Sequence, residues 1–208
     1  HNAGKKVIYV NCSGSAIALV PETETCEAIM QAWYPGEKGG DAVADVLFGD
    51  YNPSGKLPIT FYRSVEDLPD FLDYTMKNRT YRYFNGDPLW HFGYGMSYTS
   101  FDFGKPKYKK GKLTVDVKNT GKVDGDEVVQ VYIRRIDDTE GPKKSLKAFQ
   151  RVSVKAGEKQ TVCIDMPHES FEVWDAETNT MRVVPGKYEV MVGNSSRLED
   201  LKTITVKK

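Results

Sequence analysis

The chain has no net charge: 29 lysines and arginines balance 29 aspartates and glutamates over 208 residues. That balance argues against a nucleic-acid binder and against a protein held electrostatically on a membrane surface. Its one basic cluster, Lys105-Pro-Lys-Tyr-Lys-Lys-Gly-Lys112, reads as a solvated turn before a strand. Cysteine is scarce and unpaired in pattern, at Cys12, Cys26 and Cys163, with no CxxC motif. A structural zinc site is therefore not expected, and buried free thiols are. The three histidines, His1, His91 and His168, are too scattered to suggest a metal site. No apolar run approaches the roughly 20 residues that cross a bilayer. A GxSxG elbow and a Walker loop are missing as well, since no Gly-Lys-Ser/Thr opens a helix after Gly36-Glu-Lys-Gly-Gly40. No cofactor or metal is called for. The chain opens on His1-Asn2 rather than methionine, so the lack of a visible leader carries no weight.

What is present changes character near residue 100. In the first region, residues 6–11 read as a short apolar strand, 13–15 as a turn and 16–20 as a second strand. Residues 28–33 form an apolar run that pattern alone leaves open between strand and helix. A turn at Pro35-Gly36 and Gly39-Gly40 then precedes a helix over about 41–48. Asp41 is expected at its N-cap and Gly49 at its stop. Residues 57–62 read as another strand. Strand, strand, helix, strand is the tail of an α/β sheet, too short for a complete doubly wound domain, so further strand–helix units are expected upstream.

Residues 63–104 are dense in aromatics and turn formers, from Pro69 and Phe71 to Tyr98 and Phe101. Such a stretch is expected to lie pinned between its neighbours, with its ring faces forming much of the contact. From residue 105 onward strand follows strand. Residues 113–119, 128–133, 149–154, 161–166, 186–193 and 202–206, with a short element near 171–174, make about seven strands in roughly 100 residues, the pattern of an immunoglobulin-like sandwich. No Cys–Trp–Cys signature is present, so a fibronectin type III-like module is the nearer comparison. The fold expected is an incomplete three-layer α/β sheet fragment followed by an all-β sandwich. The boundaries fall at 1–62, 63–104 and 105–208.

Acidic residues are too many for any single carboxylate to carry weight. Acid–base chemistry on carboxylates needs a positioned pair, and with so many acidic residues any pair can be imagined. Glu22, Glu24 and Glu27 read as a polar loop; Asp41, Asp45 and Asp50 as cap, helix face and turn; Asp124, Asp126 and Glu127 surround a glycine turn in a spacing unlike a calcium loop. Trp33, Trp90 and the tyrosines could stack on a sugar ring, although core or interface positions are the commoner use of such area.

Several blocks, in order, resemble one family. They are Trp33-Tyr-Pro-Gly-Glu-Lys-Gly-Gly-Asp41 running into Asn52-Pro-Ser-Gly-Lys-Leu-Pro58, Asn78-Arg-Thr-Tyr-Arg-Tyr-Phe84, Pro88-Leu-Trp-His-Phe-Gly-Tyr-Gly-Met-Ser-Tyr-Thr-Ser-Phe101, Val117-Lys-Asn-Thr-Gly121, Gly125-Asp-Glu-Val-Val-Gln-Val-Tyr132, Leu146-Lys-Ala-Phe-Gln-Arg151 and Pro185-Gly-Lys-Tyr-Glu-Val-Met-Val-Gly193. The set resembles the C-terminal part of family 3 glycoside hydrolases. Asn11-Cys-Ser-Gly-Ser-Ala16 with Arg79-Thr-Tyr-Arg-Tyr83 is most similar to the β-xylosidase branch, with the β-glucosidase branch close behind. The resemblance implies a retaining exo-acting β-glycosidase of carbohydrate metabolism, acting on β-linked oligosaccharides. In that family the nucleophile is an aspartate on an N-terminal (β/α)8 barrel, and the acid/base is usually a glutamate upstream of the strand beginning here near Lys6. Neither lands on a position of this chain, so no catalytic residue is assigned and the chain alone is expected to be inactive. Arg79 and Arg82 are expected to anchor the crossing segment through bidentate hydrogen bonds, with direct sugar contact by them or by Trp33 as the other reading. The sandwich would brace the catalytic domains and favour a homodimer, and family habit implies a periplasmic or secreted protein. The rival readings are a carbohydrate-binding module with exposed coplanar rings and a purely structural or dimerisation module.

Overall fold

A computed structural model describes all 208 residues. The first region holds a parallel pair, β1 (Ile8–Asn11) and β2 (Ala28–Gln31), in register from Ile8 opposite Ala28 to Asn11 opposite Gln31. A parallel pair needs a crossover, and α1 (Val20–Thr25) supplies it. A strand over residues 16–20 was expected; instead Val20 opens this helix. Pro21 occupies its first turn, where a missing N–H costs nothing, and Glu22 adds acidic charge at the positive end. The apolar stretch before it contributes one plug, Leu19, which is only 3% exposed.

The next helix, α2 (Gly39–Phe48), begins two residues earlier than its apolar spacing implies. Gly39 and Gly40 are helical rather than turn residues, and Asp41 is not the N-cap. It lies in the first turn, favoured there by the helix dipole, and pairs with Lys38 at 3.2 Å. Gly49 does end the helix: its φ of 87° is left-handed, and its N–H reaches the Val46 carbonyl at 3.2 Å. Residues 57–62 do not form a regular strand. Leu57 exchanges hydrogen bonds with Tyr94 and Gly93, and Phe61 bridges Trp90 antiparallel, but Pro58 interrupts the ladder between them.

The middle stretch carries a 3-10 turn at Val65–Asp67 and the short helix α3 (Thr80–Tyr83). Its rings interlock. Tyr62 meets Phe84 edge-on at 5.0 Å, Tyr81 stacks on Phe92 at 4.3 Å, and fully buried Phe61 sits between Trp33 and Trp90. The pinning is not uniform, because Phe71 and Tyr74 are 89% and 86% exposed.

Eight strands then form two four-stranded sheets. One runs β12 (Leu201–Lys207), β11 (Lys187–Gly193), β6 (Gly125–Arg135), β7 (Ser145–Val154), all antiparallel. In the other, β5 (Lys112–Asn119) is central. β8 (Lys159–Asp165) flanks one edge, while β3 (Phe101–Phe103) and β4 (Lys107–Lys109) lie end to end along the other. A separate hairpin pairs β9 (Val173–Asp175) with β10 (Thr180–Arg182). Alternation sends Leu113, Val115 and Val117 of β5 inward against Val129, Val131 and Ile133 of β6 and Tyr188, Val190 and Val192 of β11, within a fourteen-residue core. The same alternation corrects the expectation of buried thiols. Cys163 stands between inward Val162 and Ile164, so it faces solvent; Cys12 is also exposed and Cys26 half-buried. The fold is an α/β fragment followed by a fibronectin type III-like sandwich.

Candidate functional site: the junction between sheet fragment and sandwich

In an antiparallel sandwich the outer face of each sheet normally meets water. Here β6 is buried on both faces. Val129, Val131 and Ile133 point into the core, while Gln130 (3% exposed) and Tyr132 (fully buried) point the other way, under the aromatic segment. Tyr81 and Phe92 close over the Tyr132 ring at 5.8 and 6.5 Å. Burial pushes the Tyr132 hydroxyl far above the ordinary phenol value, so it serves as a neutral donor, and it donates to Gln130 Oε1. Gln130 Nε2 in turn donates to the carbonyls of Gly93, at 3.0 Å, and Asn194, at 2.7 Å. The approach is so close that a Cβ on Gly93, whose φ is +79°, would stand 2.0 Å from Gln130 Oε1.

Beside this contact lies a buried ion pair. Lys56 Nζ is 2.8 Å from Glu127 Oε1, with side chains only 11% and 3% exposed. Such a pair persists only when its remaining hydrogen-bonding capacity is met. Lys56 also donates to the Gly95 carbonyl at 2.9 Å. Glu127 accepts from the Val128 amide at 2.7 Å and from Asn194 Nδ2 at 3.0 Å. Asn52 adds a second clasp: its Oδ1 accepts from Ser97 Oγ and the Tyr98 amide, and its Nδ2 donates to the Asp124 carbonyl at 2.9 Å. Together these pairings tie the sheet fragment, the aromatic segment and the sandwich into one fixed arrangement.

The three candidate sugar contacts lie apart in role, and no hydrogen bond, ion pair or ring contact links them. Trp33 packs edge-on against Phe61 at 6.3 Å, half-buried, with a left-handed φ of 58° that is rare for so bulky a residue. The Arg79 guanidinium staples its own loop, donating to the carbonyls of Thr75, Asp70 and Asp73. Arg82 lies over the Tyr83 ring at 5.6 Å, and its Nε is buried without a partner in the protein. No cluster of three or more His, Cys, Asp or Glu side chains is placed to hold a metal ion. Lys56, Glu127, Gln130 and Asn194 escape a reading by residue type. A signal for one of them, Gln130, exists in Val128-Val-Gln-Val-Tyr132, where the face expected to meet solvent carries no charge.

The sequence model of the glycosyl hydrolase family 3 C-terminal domain matches residues 1–98, and that of a fibronectin type III-like domain matches 127–196. A protein of Xylanibacter ruminicola named xylan 1,4-beta-xylosidase is 57% identical over 210 residues, covering 98% of this chain. The chain belongs to glycosyl hydrolase family 3, in its C-terminal part. The periplasmic beta-glucosidase of Salmonella typhimurium is 39% identical across 93% of this family 3 chain. Among solved structures, a beta-glucosidase of Kluyveromyces marxianus superposes with a TM-score of 0.88 at 35% identity over 99% of the chain. The chain spans about a quarter of these relatives: 24%, 28% and 27% of their respective lengths. No helix is long and apolar enough to cross a membrane.

Proposed function

We propose that this family 3 chain is the C-terminal portion of a retaining, exo-acting β-glycosidase, a β-xylosidase by preference and a β-glucosidase otherwise. The observation that carries this is the 57% identity, over 98% of the chain, to a protein named a xylosidase. We take residues 1–62 as the end of the α/β domain, 63–104 as the interdomain segment and 105–208 as the bracing sandwich. In this reading both catalytic carboxylates belong to upstream polypeptide, the (β/α)8 barrel among it, and no residue of this chain is assigned to bond cleavage. The junction's part is mechanical: it holds the α/β edge at a fixed angle to the sandwich, so that whatever the α/β domain presents to substrate is presented rigidly. Trp33, Arg79 and Arg82 remain the candidates for contact with β-linked oligosaccharide; Trp33 is favoured by its left-handed backbone, because strained positions cluster at ligand sites. A periplasmic or secreted location is supported by the name of the Salmonella relative, and a homodimer is the assembly we expect.

The test is hydrolysis of aryl β-xyloside and aryl β-glucoside by the 208-residue chain and by a chain extended upstream through the barrel. Turnover is expected only from the extended chain, faster on the xyloside. Turnover by the 208 residues alone, abolished by one carboxylate substitution within them, overturns the reading.

A further inference from the structure

A polar cleft of about 240 Å³ opens where the aromatic segment, the approach to β7 and the turn after β11 converge. Its walls include Thr60, His91, Lys143, Lys144 and Ser196. Lys144 is the unusual member. It is 7% exposed, and none of the chain's ion pairs or side-chain hydrogen bonds engages its ammonium. An unpaired ammonium inside a protein is costly, and its neighbours make matters worse. Burial foremost, and then the like charges of Lys143 and Arg134, push its pKa down to about 8 against the opposing pull of Glu199. Lys143 cannot turn away, because its own ammonium donates to the Phe84 carbonyl at 2.6 Å and its amide to the Arg82 carbonyl at 2.8 Å.

The cleft's carboxylates are already committed. Asp87 is held by Arg63 at 3.0 Å and Glu199 by Arg197 at 3.0 Å. Burial keeps the His91 imidazole below its usual pKa, hence neutral at pH 7. Two hydroxyls on the same walls, Thr60 Oγ1 and Ser196 Oγ, are buried with no partner in the protein. Ser196 is fixed in place by its amide, which donates to the Phe92 carbonyl at 2.9 Å. The Lys144 ammonium, engaged by nothing, and two unpartnered hydroxyls therefore belong to the lining of one small space, beside a second ammonium, Lys143, bound only to a neutral carbonyl. Such a lining favours an anion, and an acceptor with two oxygens can serve an ammonium and the hydroxyls together.

We propose that this cleft is a binding site for a single carboxylate, with Lys144 as its counter-ion and the Thr60 and Ser196 hydroxyls as hydrogen-bond donors. The carboxylate belongs either to a small free acid or to a side chain of upstream polypeptide. The site itself does not depend on the glycosidase reading. Acetate is the probe, titrated into the 208-residue chain at ionic strength held constant with chloride, while the amide resonances of Lys144 and Ser196 are followed by NMR. Saturable shifts are expected. Lys144→Met weakens them about tenfold or more, as loss of a charge-assisted hydrogen bond does, and Ser196→Ala weakens them severalfold without disturbing the sheet. Repeating the titration on the extended chain separates the two sources. Acetate binding in both lengths assigns a free acid, whereas binding in the shorter chain alone assigns an upstream carboxylate. Non-saturable shifts in both lengths, or affinity unchanged in both Lys144→Met and Ser196→Ala, overturn the proposal.

Discussion

Residues 1–62 bury two apolar side chains almost completely, Leu19 and Phe61, whereas the sandwich gathers fourteen into a continuous core. Neither α1 nor α2 contains a buried residue, and Phe48 at the end of α2 is 84% exposed. Both regions contain regular helices or strands, and they differ in where their burial comes from. The sandwich draws it from its own two sheets. The sheet fragment draws much of what it has from Trp90, Tyr94 and Glu127, residues of the other two pieces. Secondary structure is thus no guide to self-sufficiency; the origin of the buried area is.

The comparison breaks most visibly at Phe171. Its ring is fully buried, edge-on to Tyr108 at 5.5 Å and to Tyr188 at 5.6 Å. Phe171→Ala is expected to cost the sandwich about 3–5 kcal/mol in urea unfolding, whereas Phe48→Ala in the same chain stays within about 0.5 kcal/mol of wild type. Equal losses would mean that the fragment's exposed helix face is packed in solution. Next in size is the ion pair at the junction. Glu127→Ala leaves Lys56 buried and unpaired and is expected to cost about 3 kcal/mol, while Lys56→Met with Glu127→Leu recovers most of it. A double-mutant cycle on unfolding free energies measures this, and an additive pair would sink the claim that the two side chains act as a unit.

Smallest is a pH effect at Lys144. Its folded pKa, about 8, lies below the free value of 10.5, so between these limits the unfolded chain binds more protons and stability rises with pH. The rise is expected to disappear in Lys144→Met. A wild-type stability profile flat across that window would contradict the burial of this ammonium.

Much of the sandwich was legible because strands with one wet face alternate, as 113–119 and 161–166 do. The three-residue strands β3 and β4 carry too few positions to show a period, and the element expected near 171–174 proved to be the 3-10 turn His168–Phe171 leading into a hairpin. In the fragment, Pro21 favoured a helix start over the strand suggested by the apolar residues before it, and Pro58 broke up the strand suggested by those around it. The junction was hidden for a different reason. Lys56 and Glu127 are residue types that ordinarily face water, and only the chain's path from residue 56 to residue 127 brings them together. Trp33, Arg79 and Arg82 stood out because their chemistry is conspicuous, a property that says nothing of what lies beside them.

The contact between Gly93 and Gln130 has a consequence for how such a sequence can drift. Any side chain at 93 would collide with the amide at 130, and shortening the amide alone would strand the Tyr132 hydroxyl and two carbonyls without their partner. Neither position can change without penalty to the other. The two positions are therefore expected to change only together, and the boundary between two folds is guarded at the level of one missing methyl group.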